Sequence, residues 1–565
     1  SRHYLFEEGS ALQKAALELD PNDHDARALY TLDLMRLGRE FEGQAEAEIA
    51  FAADPFNVQL YNLLQLMETV DGFSVRENGE FILKLPKNEE PLIADDASRM
   101  LAYAIEHLQK KYEVEIEKPV LVEMFDKHDD FMVRSVGLPG NVGHLGICFG
   151  KLVTMDSPSA RPRGSWNWRT VLWHEFMHVI SLQKTKNKMP RWLSEGISVY
   201  EEGQYSPAWR NRLDPDYRAV LAEGDPPKVH QIGKYFTEPK SAMHLLFGYF
   251  VAGEFAQFYV DNYGMPAMNG ALSRIGEGTE AVAALALETG GTEQEMEGAF
   301  EAKIEERLAI LDNLPKPKEP EKPGILDSIK KFFGGDKDDP ASGTPAPSVA
   351  VASPEMPSSP LTDAIREAQA AAEKKDWAAA AAAYRKAVDL FPDLEGNGTP
   401  LKLLAEVYKS AGNDEEYRRA LYEVLHSGGA ELGAAHELIA LNKEEKNYEE
   451  TAKVADWALG IDPYDESLHE TLSDALISAG REREALAPLA VLAHLDTARA
   501  NEYLLKRAQI FAGLNEPAEA KTEVLKVLEA TPHYWLAQSL LLDLVEGKVN
   551  AEAGPVPQPS EPHVE

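Results

Sequence analysis

Apolar residues at helical spacing dominate the chain. Met100, Leu101, Ala104, Ile105 and Leu108 fall on one face and predict a helix over 95–112. Two short runs depart from that spacing, Phe81-Ile-Leu-Lys-Leu85 and Val120-Leu-Val-Glu-Met-Phe125, and both predict strands. Gly143-His-Leu-Gly-Ile-Cys-Phe-Gly150, followed by Lys151-Leu-Val-Thr-Met155, predicts a Gly-rich hairpin or edge strand. After residue 165 the spacing is helical nearly to residue 314. A small sheet followed by a helical lobe is an α+β arrangement, here over about 71–314.

On either side of this block the pattern repeats. Ala15-Ala-Leu-Glu-Leu-Asp-Pro21 returns in looser form as Ile49-Ala-Phe-Ala-Ala-Asp-Pro55, its proline 34 residues on, and Gly38 stands where a turn between paired helices belongs. Trp377, Tyr384, Ala387 and Pro392 share offsets with Tyr448, Ala455, Ala458 and Pro463; Ala520, Val524, Val527 and Pro532 follow, with Pro517 at a helix start. Small residues at these offsets let helices approach closely, and proline ends each unit because it cannot continue the helix. The pattern resembles the tetratricopeptide repeat, with about two units in 1–70 and about five in 361–547. That resemblance implies a surface for a peptide or protein partner, with Trp377, Tyr384 and Tyr448 as core packing. Pro315-Lys-Pro-Lys-Glu-Pro-Glu-Lys-Pro323 opens a Pro-rich linker over 315–360, and 548–565 reads as a disordered tail. The amphipathic stretch Ile325–Phe333 inside the linker is expected to dock on the protein or to be disordered, the alternative being contact with a membrane surface.

Composition narrows the options. At 565 residues the chain exceeds a single core. Ninety-four acidic against 57 basic side chains give a net charge of −37, which argues against nucleic acid, since phosphate binding needs clustered cations. No run of about 18 apolar residues is present, so no transmembrane segment is expected in the given chain. A lone Cys148 excludes an internal disulfide framework. The start at Ser1 and the lack of disulfide-prone cysteines lean toward an exported, periplasmic or cell-envelope location.

The chemistry concentrates at Val171-Leu-Trp-His-Glu-Phe-Met-His-Val-Ile-Ser-Leu182. His174 and His178, four apart, share a helix face and can direct imidazole nitrogens at one zinc ion. Glu175 is offset by about 100° and can take a proton from a water that the metal acidifies. A catalytic zinc needs a third ligand. Met189-Pro-Arg-Trp-Leu-Ser-Glu195 offers one: Pro190 fits a helix start, and the sixteen residues Val179–Ser194 allow a turn and an antiparallel return.

His174-Glu-Phe-Met-His178 with Trp192-Leu-Ser-Glu-Gly-Ile-Ser-Val-Tyr-Glu-Glu202 resembles the gluzincin metallopeptidases, more narrowly the peptidase MA-like domains related to the aminopeptidase and leukotriene hydrolase group. The resemblance covers roughly 75–270. It implies one Zn2+ per chain held by His174, His178 and Glu195, with Glu175 as general base, in a thermolysin-like domain between repeat arrays. It also implies a downstream tyrosine for the oxyanion, for which Tyr249 is the candidate; Tyr259 and Tyr263 are expected in the core. Glu202, two helical turns beyond Glu195, is the expected carboxylate orienting a ligand histidine, the alternative being a solvated glutamate. His144, His230 and His244 are expected at the surface or in the core.

No Gly-Ala-Met-Glu-Asn sequence, the amine anchor of the aminopeptidase relatives, is present, and Pro139-Gly-Asn-Val-Gly-His-Leu-Gly has no acid. An endopeptidase taking an extended peptide along an edge strand therefore fits better than an exopeptidase. The alternative is an inactive or non-peptidase zinc protein acting as a repeat adaptor. A zinc hydrolase with a non-peptide substrate is a third reading, since fold and metal do not fix substrate.

Overall fold

The computed structural model describes residues 5–140, 143–222, 224, 227–315, 357–396 and 398–548. The stretch Ile325–Phe333, the linker over 316–356 and residues 549–565 lie outside them. The chain divides into two compact units, Ser1–Glu90 with Asp96–Ala434, and Pro91–Asp95 with Ala435–Glu565. The described residues form 24 α-helices and one five-stranded sheet. None of their helices is long and apolar enough to cross a membrane.

The first unit opens with α1 (Phe6–Leu19), α2 (His24–Arg36), α3 (Glu40–Ala53) and α4 (Val58–Val70), each packed on the next. The two prolines mark the turns, and the polar residues after them start the following helices. Asp23 accepts from the Ala26 amide and Asn57 from the Leu60 amide. Gly38, at φ 72°, makes the turn between α2 and α3.

The sheet runs β1 (Ser74–Glu77), β2 (Phe81–Leu85), β3 (Val120–Phe125), β5 (Leu152–Asp156), β4 (Gly146–Cys148). β2–β3 and β3–β5 are parallel and the outer pairs antiparallel. β3 is buried at every position, as its apolar run, broken only by Glu123, suits a central strand. The edge strand expected in 143–150 is β4. The helix expected over 95–112 is α5 (Glu90–Tyr112); it begins five residues earlier because Pro91 sits comfortably in its first turn. The largely exposed β1 and the nine-residue α6 (His128–Val136) had no clear apolar signature. Leu66 and Val70 of α4 share a core with Phe125 and with Phe131 and Met132 of α6, so the first repeats are built onto the sheet.

The helical lobe comprises α7 (Trp168–Lys184), α8 (Arg191–Tyr205), α9 (Tyr217–Leu221), α10 (Ile232–Thr237), α11 (Ala242–Glu277), α12 (Ala281–Thr289) and α13 (Glu293–Leu308). α11 kinks at Gly264 (φ 82°, ψ 164°), just before Pro266. α7 is buried around most of its circumference and packs against β4, β5 and α8. Also in this unit are α14 (Pro360–Glu373), α15 (Trp377–Leu390), α16 (Pro400–Ser410), α17 (Asp414–His426) and the start of α18 (Leu432–Glu444). Trp377 packs on a core containing Tyr384, Ala380 and Leu404. Buried Asp393 joins these helices to the lobe by pairing with Arg210 at 2.8 Å and accepting from the Leu213 amide at 3.1 Å and from Arg307.

The second unit holds most of α18 and then α19 (Tyr448–Leu459), α20 (Glu466–Ser478), α21 (Glu482–Leu495), α22 (Ala500–Gly513), α23 (Pro517–Ala530) and α24 (Trp535–Val545). Ala455, Ala458, Ala520, Val524 and Val527 are fully buried, as their repeat offsets require. Left-handed residues at Lys375, Gly412, Lys446, Gly480 and Asn515 mark the turns within successive helix pairs, at spacings of 37, 34, 34 and 35 residues. The repeat period is thus written in the backbone as well as in the sequence.

Candidate metal centre

Two helices and a glycine make the site. α7 carries His174, Glu175 and His178, while α8 carries Glu195 on its second turn. α8 approaches α11 so closely that a Cβ on Gly196 would lie 2.4 Å from the Ala252 carbonyl oxygen. Glycine after Glu195 is therefore a packing requirement, and the close approach brings Tyr249, one turn before Ala252, to the same cleft.

His174, His178 and Glu195 offer ligand atoms that all lie within 4.8 Å of one another. Both Nε2 atoms are 3.2 Å from Glu195 Oε2. A tetrahedral shell with bonds of about 2.0–2.1 Å has edges of about 3.3 Å, so the triad fits a zinc ion. The other ring nitrogens are held: His174 Nδ1 by Glu202 Oε1 at 2.5 Å, and His178 Nδ1 by Ser194 Oγ at 2.8 Å. With Nδ1 occupied in this way, each ring presents Nε2 to the shared point.

Electrostatics follow this geometry. Burial alone would lower the His174 pKa, but hydrogen bonds to Glu195 and Glu202 raise it well above the ordinary value. Burial would likewise raise Glu195, yet His178, His174 and Arg191 hold its carboxyl well below the usual range. For Glu175 burial wins and its pKa is raised. Burial, and then the Glu195 charge, raise the Tyr249 phenol. Tyr249 is half-buried and accepts a hydrogen bond from Arg191 Nη2 at 3.3 Å.

The edge strand forms the wall facing the base. A Cβ on Gly146 would lie 2.5 Å from Glu175 Cγ and 2.7 Å from its Oε1, so only glycine admits β4 at this distance. Arg161 anchors the strand's entry, donating to the His144 carbonyl at 3.2 Å and to Asp156 at 2.6 Å. Burial, and then the Arg191 cation, lower the His144 pKa. His230 is exposed and pairs with Glu297 at 3.1 Å, while His244 is buried. Tyr259 is buried and donates to the Leu285 carbonyl at 2.8 Å. Tyr263 packs on its ring at 5.1 Å between centroids.

Three participants, and one buried carboxylate near them in the chain, escaped the sequence reading. Arg191 and Ser194 lay inside the quoted Met189–Glu202 stretch, and Arg191 stands at the i,i+4 spacing to Glu195 that marks helix-face pairs. Gly146 looked like a generic hairpin glycine. Glu201 resembled its exposed neighbours, yet it is buried and receives the Tyr112 hydroxyl at 2.5 Å and Lys111 Nζ at 2.8 Å.

No family profile and no curated protein matches the chain. Among solved structures it is similar to YrrB, described as a TPR protein with an unusual peptide-binding site, at 17% identity over 32% of this chain and 96% of that one, with a TM-score of 0.21. MamA protein matches at 16% identity over 35% of this chain and 98% of that one, also at 0.21. The APC/C hetero-tetramer Cut9-Hcn1 matches at 12% identity over 94% of this chain and 80% of that one, at 0.18. These scores carry no argument on function.

Proposed function

We propose that this protein is a monozinc metallopeptidase of endopeptidase type, with a thermolysin-like catalytic domain of the gluzincin kind. The observation that carries it is the convergence of His174 Nε2 and His178 Nε2 on Glu195 Oε2, each at 3.2 Å, with the Glu175 carboxyl on the same helix beside them. His174, His178 and Glu195 would hold the ion, and bound zinc supplies a Lewis acid that acidifies water and polarises a carbonyl. Glu175, next to the ligand His174, would take the proton of a metal-bound water and return it to the leaving amine. Tyr249 would donate a hydrogen bond from its hydroxyl to the developing oxyanion. β4 is an outer strand of the sheet, and an extended peptide can add along its edge past Glu175. Gly146 keeps that passage narrow but open.

Glu175→Gln is the direct test of the base. It should keep zinc and lose hydrolysis of a mixed peptide library by about 100-fold or more. Cleavage at the parental rate would refute this assignment.

A second reading is kept because helix pairs with a recurring turn make up most of the described chain outside the sheet and lobe: the chain as an adaptor, binding a peptide or protein on its helix pairs with no peptidase turnover. Purified full-length protein that retains zinc and captures a partner but leaves every library peptide intact would favour that reading.

A further inference from the structure

Arg191 touches both halves of the site. Its Nε donates to Glu195 Oε1 at 2.9 Å and its Nη2 to Tyr249 Oη at 3.3 Å. The guanidinium also lies 5.6 Å from the centroid of the Phe236 ring, which packs edge-on against Tyr249 at 5.1 Å. These contacts fix its orientation at the first turn of α8.

Donor counting gives the consequence. A guanidinium has N–H donors and no acceptor, so Tyr249 can only accept from it, and the phenol's own proton must point elsewhere. Glu195 is constrained in the same way. With Oε1 engaged by Arg191, Oε2 is the oxygen facing the two histidine nitrogens. We propose that Arg191 is a positioning residue that limits Glu195 to one ligating oxygen and leaves the Tyr249 proton free for substrate. This deepens the metallopeptidase reading and rests on it. Removing the guanidinium lets Glu195 turn both oxygens inward and lets Tyr249 donate to the carboxylate instead. Lysine can restore the ion pair, but as a point charge it cannot hold both partners in a fixed fork.

The test uses full-length parent, Arg191→Met, Arg191→Lys, Tyr249→Phe and the Arg191→Met/Tyr249→Phe double variant. Zinc affinity is read by chelator competition, ligation by the visible spectrum of the cobalt(II)-loaded protein, and turnover at saturating zinc. Arg191→Met should weaken zinc binding about 10–100-fold and alter the cobalt band. Arg191→Lys should recover most of the zinc affinity and little of kcat, and it carries the affinity test if the methionine variant does not fold. In the Tyr249→Phe background Arg191→Met should cost no further kcat. Zinc affinity in Arg191→Met within about twofold of the parent overturns the hold on Glu195. A double variant whose kcat falls by the product of the single losses overturns the link to Tyr249. A parent that binds zinc but cleaves no peptide removes the peptidase reading alone, and affinities and cobalt spectra still decide the role at Glu195. A parent that binds no zinc overturns both.

Discussion

Two clusters of buried charge lie in the same compact unit and are built on opposite plans. Around Glu123 of β3 the charges close on one another: Arg134 Nε at 2.7 Å, Lys84 Nζ at 3.6 Å, and Glu40 from α3 sharing both cations. Around Glu195 the ligand atoms close on a point instead, while the outer atoms of the histidines and carboxylate are held by Glu202, Ser194 and Arg191. The first arrangement compensates itself and ties the N-terminal repeats to the sheet. The second gathers three ligand atoms around one point, where they pair with one another through a histidine proton and where a metal ion could take that proton's place. Burial of charge therefore marks a joint in one place and a candidate site in the other.

The largest expected effect breaks the joint. Arg134→Leu leaves Glu123 and Glu40 with Lys84 as their one remaining shared cation and should cost about 3–5 kcal/mol in denaturant unfolding of the first unit. A loss under about 1 kcal/mol would mean the cluster holds nothing together. His178→Ala should destabilise the metal-free protein less than Arg134→Leu does, while removing zinc retention. Next is Gly146→Val, whose added atoms collide with Glu175; overpacking of about 1–3 kcal/mol should appear in melting curves, with turnover falling and zinc content kept. Unchanged turnover in that variant would place Glu175 outside the reaction. Ser194→Ala leaves His178 Nδ1 only its longer contact with Ser198 Oγ at 3.3 Å and should weaken zinc binding about tenfold, read by chelator competition.

The smallest effect is a pH slope. Burial, opposed by Arg134, pushes the Glu123 carboxyl from 4.5 up to about 8, while Glu40, despite its own burial, is held near 2 by its hydrogen bond with Glu123 and by Arg134 and Lys84. Between 4.5 and about 8 the folded state keeps a proton on Glu123 that the unfolded chain has lost, so this cluster's stability falls as pH rises through that window. Below 4.5 Glu40 reverses the sign, and stability is lost as pH falls toward about 2. Melting temperature measured from pH 5 to pH 8 should decline more in the parent than in Glu123→Gln. Equal slopes would show that Glu123 is ionised throughout.

The contrast also explains what could be read in advance. His174, His178, Glu195 and Glu202 sit at helical spacings of four and seven, so their register survives in the linear sequence and the structure brings them together. β2 and β3 were legible from mostly apolar runs, the edge strand from its Gly-rich stretch, and the repeats from recurring small residues and prolines. Tertiary contacts left less trace. Glu123 looked like one polar residue in a strand, because its partners Glu40, Lys84 and Arg134 come from three other elements. Gly146 owes its role to Glu175, 29 positions away, and no local pattern encodes that distance. β1 was missed because an exposed four-residue strand carries almost no apolar signal.

The central claim is that the convergence at Glu195 exists for a metal ion. Elemental analysis of the purified protein after zinc loading and dialysis, beside Glu195→Ala treated identically, tests it most directly. One zinc per parent chain and a large loss in the variant is the predicted result. A parent without bound zinc, or a variant that retains it in full, would contradict the account.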